Sequence, residues 1–362
     1  MIYTYQQWFI ALNIFKPSPR IIPATKFTII IPARNEEDNI EKCIASILEN
    51  DYPKELYEII VADDFSTDAT ANVVKGLQQT HSNIKLIQLV DIVKSKLNSY
   101  KKKAIEIAIG NAGNDWIITT DADCVIPTQW LTLYDAYIQK SKTVFVAAPV
   151  MFSNNGSFLS IFQTLDFISL QGITAASVSA GFHSMCNGAN IAYSKQAFTE
   201  VNGFKGVDNI ASGDDMLLMH KIKEHCPGQT GYLFSPEAVV LTQPMLNWRS
   251  FINQRIRWAS KATSYDDKRI FWVLLLVYLF NLYLFVLPFL CIFYPLWVLW
   301  GFMLVGKTVG ELRFMQPVAK FFGLKKLLWW FPVMQPFHIA YTVLSGWLGK
   351  FGKYEWKGRT VK

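Results

Sequence analysis

The amino-acid sequence predicts an α/β domain built on a parallel sheet, followed by a helical region that enters a membrane. From Phe27 onward, short runs rich in β-branched residues alternate with helix-type patterns, which is typical of a parallel sheet covered by helices on both faces. The stretch 270–306 contains no charged residue, and one bilayer crossing needs about 20 apolar residues. These two observations separate a water-soluble part from a membrane region.

Strands and helices are predicted in alternation along the α/β domain. The predicted strands cover residues 27–31, 58–62, 84–89 and 116–120. The predicted helices cover residues 36–48, 68–77, 101–109 and 216–222. In the first of these helices, Ile40, Ile44 and Ile47 recur at spacings of four and three, so they share one face. Ligands of such sheets bind beyond the carboxyl ends of the strands.

Polar clusters follow three of the predicted strands, and we expect them to meet at one edge of the sheet. They comprise Pro32, Ala33, Asn35 and Glu36 after the first strand, Asp63 and Asp64 after the second, and Asp121 and Asp123 after the fourth. A lone carboxylate pair spaced like Asp121 and Asp123 is usually a solvated turn, but its place at the end of a buried strand favours a metal site. Mg²⁺ or Mn²⁺ accepts such oxygen ligands and bridges them to a diphosphate.

The segment that contains Asp63 and Asp64 has two compatible interpretations. Ser66 or Thr67 can cap the next helix, with Asp68 near the positive end of its dipole. A carboxylate of the Asp63–Asp64 pair can also accept hydrogen bonds from the uracil or ribose of a nucleotide.

The lysine run 101–103 opens the following helix. Three lysines usually form a solvated face, but a lysine at the binding edge can also bind a diphosphate as a point charge. The sequence does not distinguish among the three, and Lys102 is taken as the donor-binding candidate.

Two further clusters lie nearer the membrane region. Asp214 and Asp215 precede the helix predicted at 216–222, where they serve either as partners of the helix dipole or as a base for a hydroxyl group. Gln254, Arg257 and Trp258 share one helix face by their spacing. For these three, the alternative to a binding role is a tryptophan and an arginine placed at a membrane interface.

Composition excludes several classes of function. The net charge is +7, but the basic residues crowd the membrane region from Lys261 onward, and no basic stripe interleaved with aromatics indicates nucleic acid. The charge pattern instead agrees with the positive-inside rule. The five cysteines are scattered without CxxC spacing, so we expect reduced thiols in a cytosolic domain and neither disulfides nor a zinc site.

The membrane region is predicted to contain two to three hydrophobic segments, at 270–288, 290–306 and 327–348. Pro288 and Pro295 mark the expected turn between the first two. Both flanks of the third segment are basic, so two crossings followed by a re-entrant segment satisfy the positive-inside rule. No charge pair is expected within the membrane region, which argues against a channel or transporter.

Six motifs occur in a familiar order along the chain. They are PARNEE (32–37), DDFSTD (63–68), TDADC (120–124), NGAN (187–190), SGDD (212–215) and QRIRW (254–258). In this order they resemble the family 2 glycosyltransferases, an inverting group with the GT-A fold that includes cellulose, chitin and hyaluronan synthases and ceramide glucosyltransferase. The resemblance covers roughly residues 26–262, with a weaker match in WKGR (356–359).

The resemblance implies roles for individual residues. Asp63 or Asp64 would hold the nucleotide, Asp121 and Asp123 the metal, and Asp215 would be the catalytic base. Because this chain has Gly-Asp-Asp where the family has Thr-Glu-Asp, Asp214 is kept as an alternative base. The residues that would contact the diphosphate or the acceptor sugar are Gln254, Arg257 and Trp258, together with Asn190 of the NGAN motif.

The expected protein is a multi-pass enzyme of the plasma membrane with a cytoplasmic catalytic domain. It would transfer a sugar from a nucleotide diphosphate donor, expected to be a UDP-sugar, to a glycan or lipid acceptor. The alternative is a catalytically inactive nucleotide-sugar-binding subunit of a membrane complex. A second copy or another membrane subunit is expected to complete any channel. The expected domains are an interfacial segment (1–25), a Rossmann-like GT-A domain (26–265), the membrane region (266–350) and a basic tail (351–362).

Overall fold

The fold is described from a computed structural model of the chain. The structure describes residues 1–18, 21–94, 99–208, 210, 213–260, 267–351, 354–356 and 359–361. Ser212 of the SGDD motif, Lys261 and the centre of the WKGR segment (357–358) lie outside the described residues.

The chain divides into two compact units, each discontinuous in sequence. The sheet unit comprises Asn13–Met151 and Ser184–Gln243, and the helical unit comprises Met1–Leu12, Phe152–His183 and Pro244–Lys362. The domains predicted from the sequence, in contrast, each cover one continuous range of residues.

The helices and strands have the following bounds. The strands are β1 (Phe27–Ala33), β2 (Tyr57–Asp63), β3 (Ile84–Gln88), β4 (Trp116–Thr119), β5 (Phe145–Ala147), β6 (Val150–Phe152), β7 (Ile191–Ser194), β8 (Thr230–Tyr232), β9 (Val240–Thr242), β10 (Tyr354–Trp356) and β11 (Arg359–Val361). The helices are α1 (Ile2–Ile10), α2 (Ile40–Leu48), α3 (Thr70–Gln78), α4 (Leu89–Ile92), α5 (Tyr100–Gly110), α6 (Trp130–Lys140), α7 (Phe158–Ser179), α8 (Lys195–Glu200), α9 (Met216–His225), α10 (Trp248–Ala259), α11 (Lys268–Leu290), α12 (Trp297–Phe321) and α13 (Phe331–Phe351).

The main sheet of the sheet unit has the strand order β3-β2-β1-β4-β7-β5-β8. Strands β1 to β4 are mutually parallel, as predicted, with Ala33 paired to Asp63 at the carboxyl ends of β1 and β2. Strand β7 runs antiparallel to β4 and β5, so the whole sheet is mixed.

The core of the sheet unit is formed by the central strands. Ile29, Ile60 and Ile118 have no exposed surface, and their strand neighbours are equally buried. Continuous burial along a strand is expected where both faces of a sheet are covered. The carboxyl ends of β1, β2 and β4 are thereby fixed side by side, because a buried strand cannot shift its register without exposing apolar residues.

The helical unit packs α1, α7 and α12 closely together. Gly172 on α7 faces Val318 on α12 so tightly that an added Cβ would lie 2.5 Å from a Val318 methyl. Phe9 on α1 is buried, and its ring centroid lies 6.2 Å from that of Phe314. The apolar N-terminal segment therefore forms a helix that packs on α12.

Of the helices in the described ranges, one is long and apolar enough to cross a membrane, namely α11. It contains Pro288, and the chain turns after it through residues 291–296, which include Pro295. The segment predicted at 290–306 is displaced, because α12 begins only at Trp297 and continues to Phe321.

A charge pair lies on α12, directly after the segment predicted at 290–306. Lys307 and Glu311 lie on α12 one turn apart, with Nζ 2.9 Å from Oε2. The ammonium of Lys307 also donates to Oε1 of Gln335 on α13 at 2.6 Å. Lys307 and Glu311 thus lie between the predicted hydrophobic segments 290–306 and 327–348.

Candidate active site

Two loops that leave β1 and β2 are joined by hydrogen bonds at the edge of the sheet. Arg34 Nη1 donates to the carbonyl oxygens of Asp64 (2.8 Å) and Phe65 (2.9 Å). The amide of Asn35 donates to Ser66 Oγ at 3.0 Å, while the side-chain oxygen of Asn35 accepts from the amide of Thr67 at 2.8 Å. Each loop therefore fixes the conformation of the other.

Two residues in these loops adopt backbone angles that favour glycine. Asn35 has φ 50° and Phe65 has φ 53°. Asparagine tolerates the left-handed region, but a bulky residue such as Phe65 is strained there. Strain of this kind persists only where the surrounding contacts fix it, and it is concentrated at functional sites.

The remaining residues predicted around these loops occupy distinct positions. Pro32 and Ala33 belong to β1 itself, paired with Ala62 and Asp63. The amide of Glu36 donates to Thr70 Oγ1 at 2.8 Å. Neither Ser66 nor Thr67 caps α3, because the N-cap position is Ala69 and has no side-chain cap. Oδ1 of Asp68 instead accepts from the amide of Thr70, the first residue of the helix, at 3.0 Å.

Asp63 and Asp64 end β2 with buried side chains. Each is only 2% exposed. Among the described residues, Oδ1 of Asp63 has no hydrogen-bond partner. A buried carboxylate oxygen without a partner is costly, since the group has lost its hydration. Asp63 therefore has the capacity to accept a hydrogen bond from a ligand.

Lys101 links the two other acidic motifs of the sheet unit. Its ammonium lies 2.7 Å from Oδ1 of Asp121 and 3.2 Å from Oδ2 of Asp214. Burial acts to lower the pKa of Lys101, but the attraction of Asp121 and Asp214 outweighs it and raises the pKa above its usual range. One carboxylate of the Asp-x-Asp motif and one of the Gly-Asp-Asp motif thus contact the same ammonium group.

Asp215 is held by backbone amides on both of its oxygens. Oδ1 accepts from the amide of Met216 at 2.7 Å, which caps helix α9, and Oδ2 accepts from the amide of Gly188 at 3.0 Å. The carbonyl of Gly188 in turn accepts from Thr119 Oγ1 at 2.9 Å. An added Cβ at Gly188 would lie 3.2 Å from Oδ2 of Asp214. Gly188 and Thr119 therefore position Asp214 and Asp215, and this role was not predicted from the sequence.

Lys102 does not face the carboxylates, contrary to the prediction that it binds the diphosphate. Its side chain is 2% exposed, and its ammonium donates to the carbonyls of Val207 (2.6 Å) and Ile210 (2.8 Å). Successive helical residues point about 100° apart, so three consecutive lysines cannot all face one site. Lys101 is the member of the run that does.

Asn190 is fully buried and its side chain is saturated by contacts within the sheet unit. Its Oδ1 accepts from Trp130 Nε1 (2.8 Å) and Tyr134 OH (2.9 Å). Its Nδ2 donates to the carbonyls of Pro149 (2.8 Å) and Ala238 (2.9 Å). The predicted contact with acceptor or diphosphate is therefore replaced by a structural role, since all four hydrogen-bonding positions are in use.

Gln254, Arg257 and Trp258 lie on α10, within the helical unit. All three side chains are half-buried. Among the described residues, Gln254 Oε1 has no hydrogen-bond partner. The indole of Trp258 packs beside Phe167, with ring centroids 6.0 Å apart.

The donor set at Asp121 and Asp123 fits a hard divalent cation. Both residues offer carboxylate oxygens, the ligand type that Mg²⁺ and Mn²⁺ prefer. The side chain of Asp121 is 38% exposed, so one face remains accessible, and Oδ2 of Asp123 is oriented by Thr242 Oγ1 at 3.3 Å. The ammonium of Lys101 beside Asp121 shows that positive charge is stabilised at this position.

The mixed sheet, the loops at the ends of its parallel strands and the acidic cluster define a glycosyltransferase of the GT-A fold. The profile of glycosyl transferase family 2 matches residues 28–201, and that of glycosyl transferase family group 2 matches residues 116–343. The chain therefore belongs to glycosyl transferase family group 2.

Named relatives share part of the chain. The poly-beta-1,6-N-acetyl-D-glucosamine synthase of Staphylococcus epidermidis is 24% identical over 240 residues, which cover 64% of this chain and 53% of the relative. An N-acetylglucosaminyltransferase of Rhizobium meliloti is 26% identical over 247 residues, covering 66% and 55%. The chain thus spans about half the length of these relatives.

Similarity to a solved structure extends over most of the chain. The mannosyltransferase PcManGT from Pyrobaculum calidifontis, in complex with GDP-Man and Mn²⁺, superposes with a TM-score of 0.58 at 18% identity. The alignment covers 93% of this chain and 94% of that one. At this identity the comparison confirms the fold.

Proposed function

We propose that this glycosyltransferase is a membrane-associated, inverting enzyme that uses a UDP-sugar and transfers the sugar to a glycan or lipid acceptor. The observation that carries the proposal is the position of Lys101, within 3.2 Å of both Asp121 and Asp214. It brings a carboxylate suited to metal binding and the Gly-Asp-Asp segment into one space. The names of the two curated relatives favour N-acetylglucosamine as the sugar.

Donor binding is assigned to the loops after β1 and β2. Oδ1 of Asp63 has no hydrogen-bond partner in the described part of the chain, so it is suited to accept a hydrogen bond from the uracil or ribose. Asn35 and Glu36 stabilise the loop conformation around it. Because these loops are fixed by each other before any ligand arrives, little conformational entropy is lost when the nucleotide binds.

Asp121 and Asp123 would hold Mg²⁺ or Mn²⁺ against the diphosphate. When bound, the ion supplies positive charge that stabilises the departing diphosphate. Lys101 places a second positive charge beside Asp121, at the same position. Interactions that grow as charge develops on the leaving group are the ones that accelerate transfer.

Asp215 is assigned as the base. The amides of Gly188 and Met216 fix its carboxylate, and each oxygen retains a second acceptor position. In a single displacement, Asp215 takes the proton of the acceptor hydroxyl while that oxygen bonds to C1 of the sugar and the bond from C1 to the diphosphate breaks. The configuration at C1 is inverted in one such step.

Trp258 is assigned as a platform for the acceptor sugar, and Arg257 as a diphosphate ligand, with Gln254 beside them on α10. An indole offers a flat apolar face together with one N–H donor. A planar guanidinium can grip a phosphate through two hydrogen bonds at once. The membrane-anchor alternative for Trp258 predicts a different outcome, since an anchor requires only an aromatic body.

Membrane association is proposed from the surface of α11. Leu276 and Leu279, near its centre, are 59% and 53% exposed. Large apolar side chains on a helix of this length are stable in lipid and costly in water.

The proposal is tested with membranes that contain the full chain and a panel of radiolabelled UDP- and GDP-sugars. We expect one UDP-sugar to be consumed, with label entering either an organic extract, as a lipid product, or a retained glycan. EDTA should stop the reaction, and Mn²⁺ or Mg²⁺ should restore it.

The matched variant for this assay is Asp123→Ala, which removes one proposed metal ligand and should abolish turnover. The exposed Lys103, paired with Glu106 at 2.7 Å, provides the control Lys103→Met, which should retain activity. Full activity in EDTA after dialysis, or no consumption of any donor by the wild type, would contradict the proposal.

A further inference from the structure

The helical unit contains a buried ion pair that the proposed chemistry does not use. Arg255, inside the QRIRW segment of α10, places Nη2 2.7 Å from Oδ2 of Asp166 on α7, and both side chains are 4% exposed. Removing two charges from water costs free energy that their attraction only partly restores, so such a pair is weak as a stabilising device. The other contacts of Arg255 and Asp166 indicate the role of this ion pair.

Arg255 lies against the indole of Trp258. The guanidinium carbon is 4.2 Å from the centre of the Trp258 ring and 4.8 Å from the centre of the Phe251 ring. Residues three positions apart on a helix are neighbours, and a cation over an indole face is attracted by the ring's electron density. Arg255 therefore covers part of the indole and restricts its rotation, while the ring remains half-buried.

Asp166, the ion-pair partner of Arg255, is itself held by residues of α13. The hydroxyl of Tyr341 on α13 donates to its Oδ1, and Nε2 of His338 lies 3.8 Å from the same oxygen. Phe167, the next residue on α7, packs beside Trp258. The indole orientation is thus determined by side chains from α7 and α10, and indirectly from α13.

We propose that Arg255 and Asp166 are positioning residues for the acceptor sugar, acting by holding the Trp258 indole in one orientation. The inference depends on the proposed function, in which Trp258 is the acceptor platform. A flat ring selects a sugar only if its orientation is fixed before binding, since ordering it afterwards reduces affinity. Donor hydrolysis by water has no such requirement.

A purely structural role for the same pair makes a different prediction. A core defect would lower the amount of folded enzyme, so donor hydrolysis and sugar transfer would fall by one common factor. A positioning role lowers transfer and leaves hydrolysis nearly unchanged. The ratio of the two rates therefore separates the interpretations.

The test compares the two rates for the full chain in membranes at equal protein levels, using the UDP-sugar that the wild type consumes. Arg255→Lys keeps the buried positive charge but loses the planar group over the indole. We expect it to lower transfer about tenfold relative to hydrolysis. The double variant Asp166→Asn with Arg255→Gln removes both charges together, which buried pairs tolerate better than the loss of one, and it should show the same change in ratio.

The matched control is Arg269→Gln, which breaks a different ion pair of the helical unit, the one that Arg269 Nε forms with Asp267 Oδ1 at 2.8 Å. It should leave the ratio of transfer to hydrolysis unchanged. An equal fall of both rates in the two Arg255 variants, or an unchanged ratio in both, would overturn the positioning role while leaving the enzyme's function intact. A wild type that neither hydrolyses nor transfers any sugar would instead refute the proposed function, and this inference with it.

Discussion

Lys101 contributes the positive charge that holds two acidic motifs together. Asp121 and Asp214 both lie within 3.2 Å of its ammonium, and without it two carboxylates would face each other in a partly buried space. Like charges at such separations repel by amounts that depend on the local dielectric. The lysine therefore offsets the repulsion between these carboxylates near the proposed donor site.

Replacing Lys101 by methionine should lower turnover about tenfold or more, because both the carboxylate pair and the departing diphosphate lose a cation. Turnover of the preferred UDP-sugar, measured at saturating Mn²⁺, is the test. Lys103→Met is the control, since Lys103 pairs with the half-buried Glu106 and not, among the described residues, with the carboxylates of the site. Equal activity in both variants would show that Lys101 does not contribute to turnover.

The two adjacent aspartates should differ in their kinetic effects. Asp215→Asn preserves size but removes basicity, so kcat should fall about 10²-fold or more while donor binding survives. Asp214→Asn weakens the contact with Lys101 and should cost less. Steady-state kinetics with both variants decide the assignment, and a nearly normal Asp215→Asn beside an inactive Asp214→Asn would reverse the two roles.

The types of residue at the site could be predicted from the sequence, but the directions of some of their side chains could not. The strand-end rule located Asp63, Asp64, Asp121 and Asp123 correctly at one edge of the sheet, because buried strands fix their register. It could not distinguish Lys101 from Lys102, since adjacent helical positions differ only in direction. The structural role of Asn190 was also hidden from the sequence, because its four partners come from distant segments.

Among the elements, strand β2 carries a half-buried glutamate that joins three segments. Glu58 accepts from Thr28 Oγ1 (2.7 Å), from the amide of Gly113 (2.6 Å) and from Lys85 Nζ (2.6 Å). Burial acts to raise the pKa of Glu58, but these hydrogen bonds outweigh it, so the pKa lies below its ordinary value of 4.5. Stability from this group is thus complete above about pH 4.5 and is lost as the pH falls through the folded-state pKa.

Glu58→Gln should therefore destabilise the folded chain by about 1–3 kcal/mol at pH 7, since hydrogen bonds to a charged group are lost or weakened. The difference from the wild type should shrink as the pH falls below 4.5. Thermal unfolding of the purified full chain between pH 3 and pH 7 measures it. A difference that is independent of pH would show that the charge of Glu58 contributes nothing.

The helix and strand pattern was predictable where apolar periodicity was strong. The strands β1 to β4 and the helices α2, α3 and α5 begin and end within four residues of their predicted bounds, whereas the short helix α4 was not predicted. Strands β5 and β7 have only three and four residues, too few to show an alternation. Helix α7 has 22 residues, mostly buried, and the buried ones include polar residues such as Gln163, Asp166 and Gln171. A helix that is buried nearly all round does not separate apolar from polar residues into two faces, so the sequence pattern does not reveal it.

The molecule as a whole presents much apolar surface on its helical unit. Exposed large side chains are concentrated on α11, α12 and the segment before α13, with Phe302 at 77% and Trp329 at 88% exposed. Soluble monomers rarely expose continuous apolar patches of more than a few hundred Å².

The full chain should stay in the membrane pellet after alkaline carbonate extraction. Placing lysines at Leu276 and Leu279 should shift protein to the supernatant, because each charge at the centre of a crossing helix costs about 2.5–3.5 kcal/mol. The control is Lys268→Gln at the start of α11, which should remain in the pellet. Recovery of the wild-type chain in the soluble fraction would exclude membrane insertion.

The reciprocal hydrogen bonds between the loops after β1 and β2 limit how donor preference can change. Asn35 and Arg34 in one loop supply partners for Thr67, Asp64 and Phe65 in the other. A relative's version of one loop, grafted alone, would meet a partner loop that does not match it. The two segments thus form one structural unit, and an attempt to exchange the proposed nucleotide specificity should transplant both together.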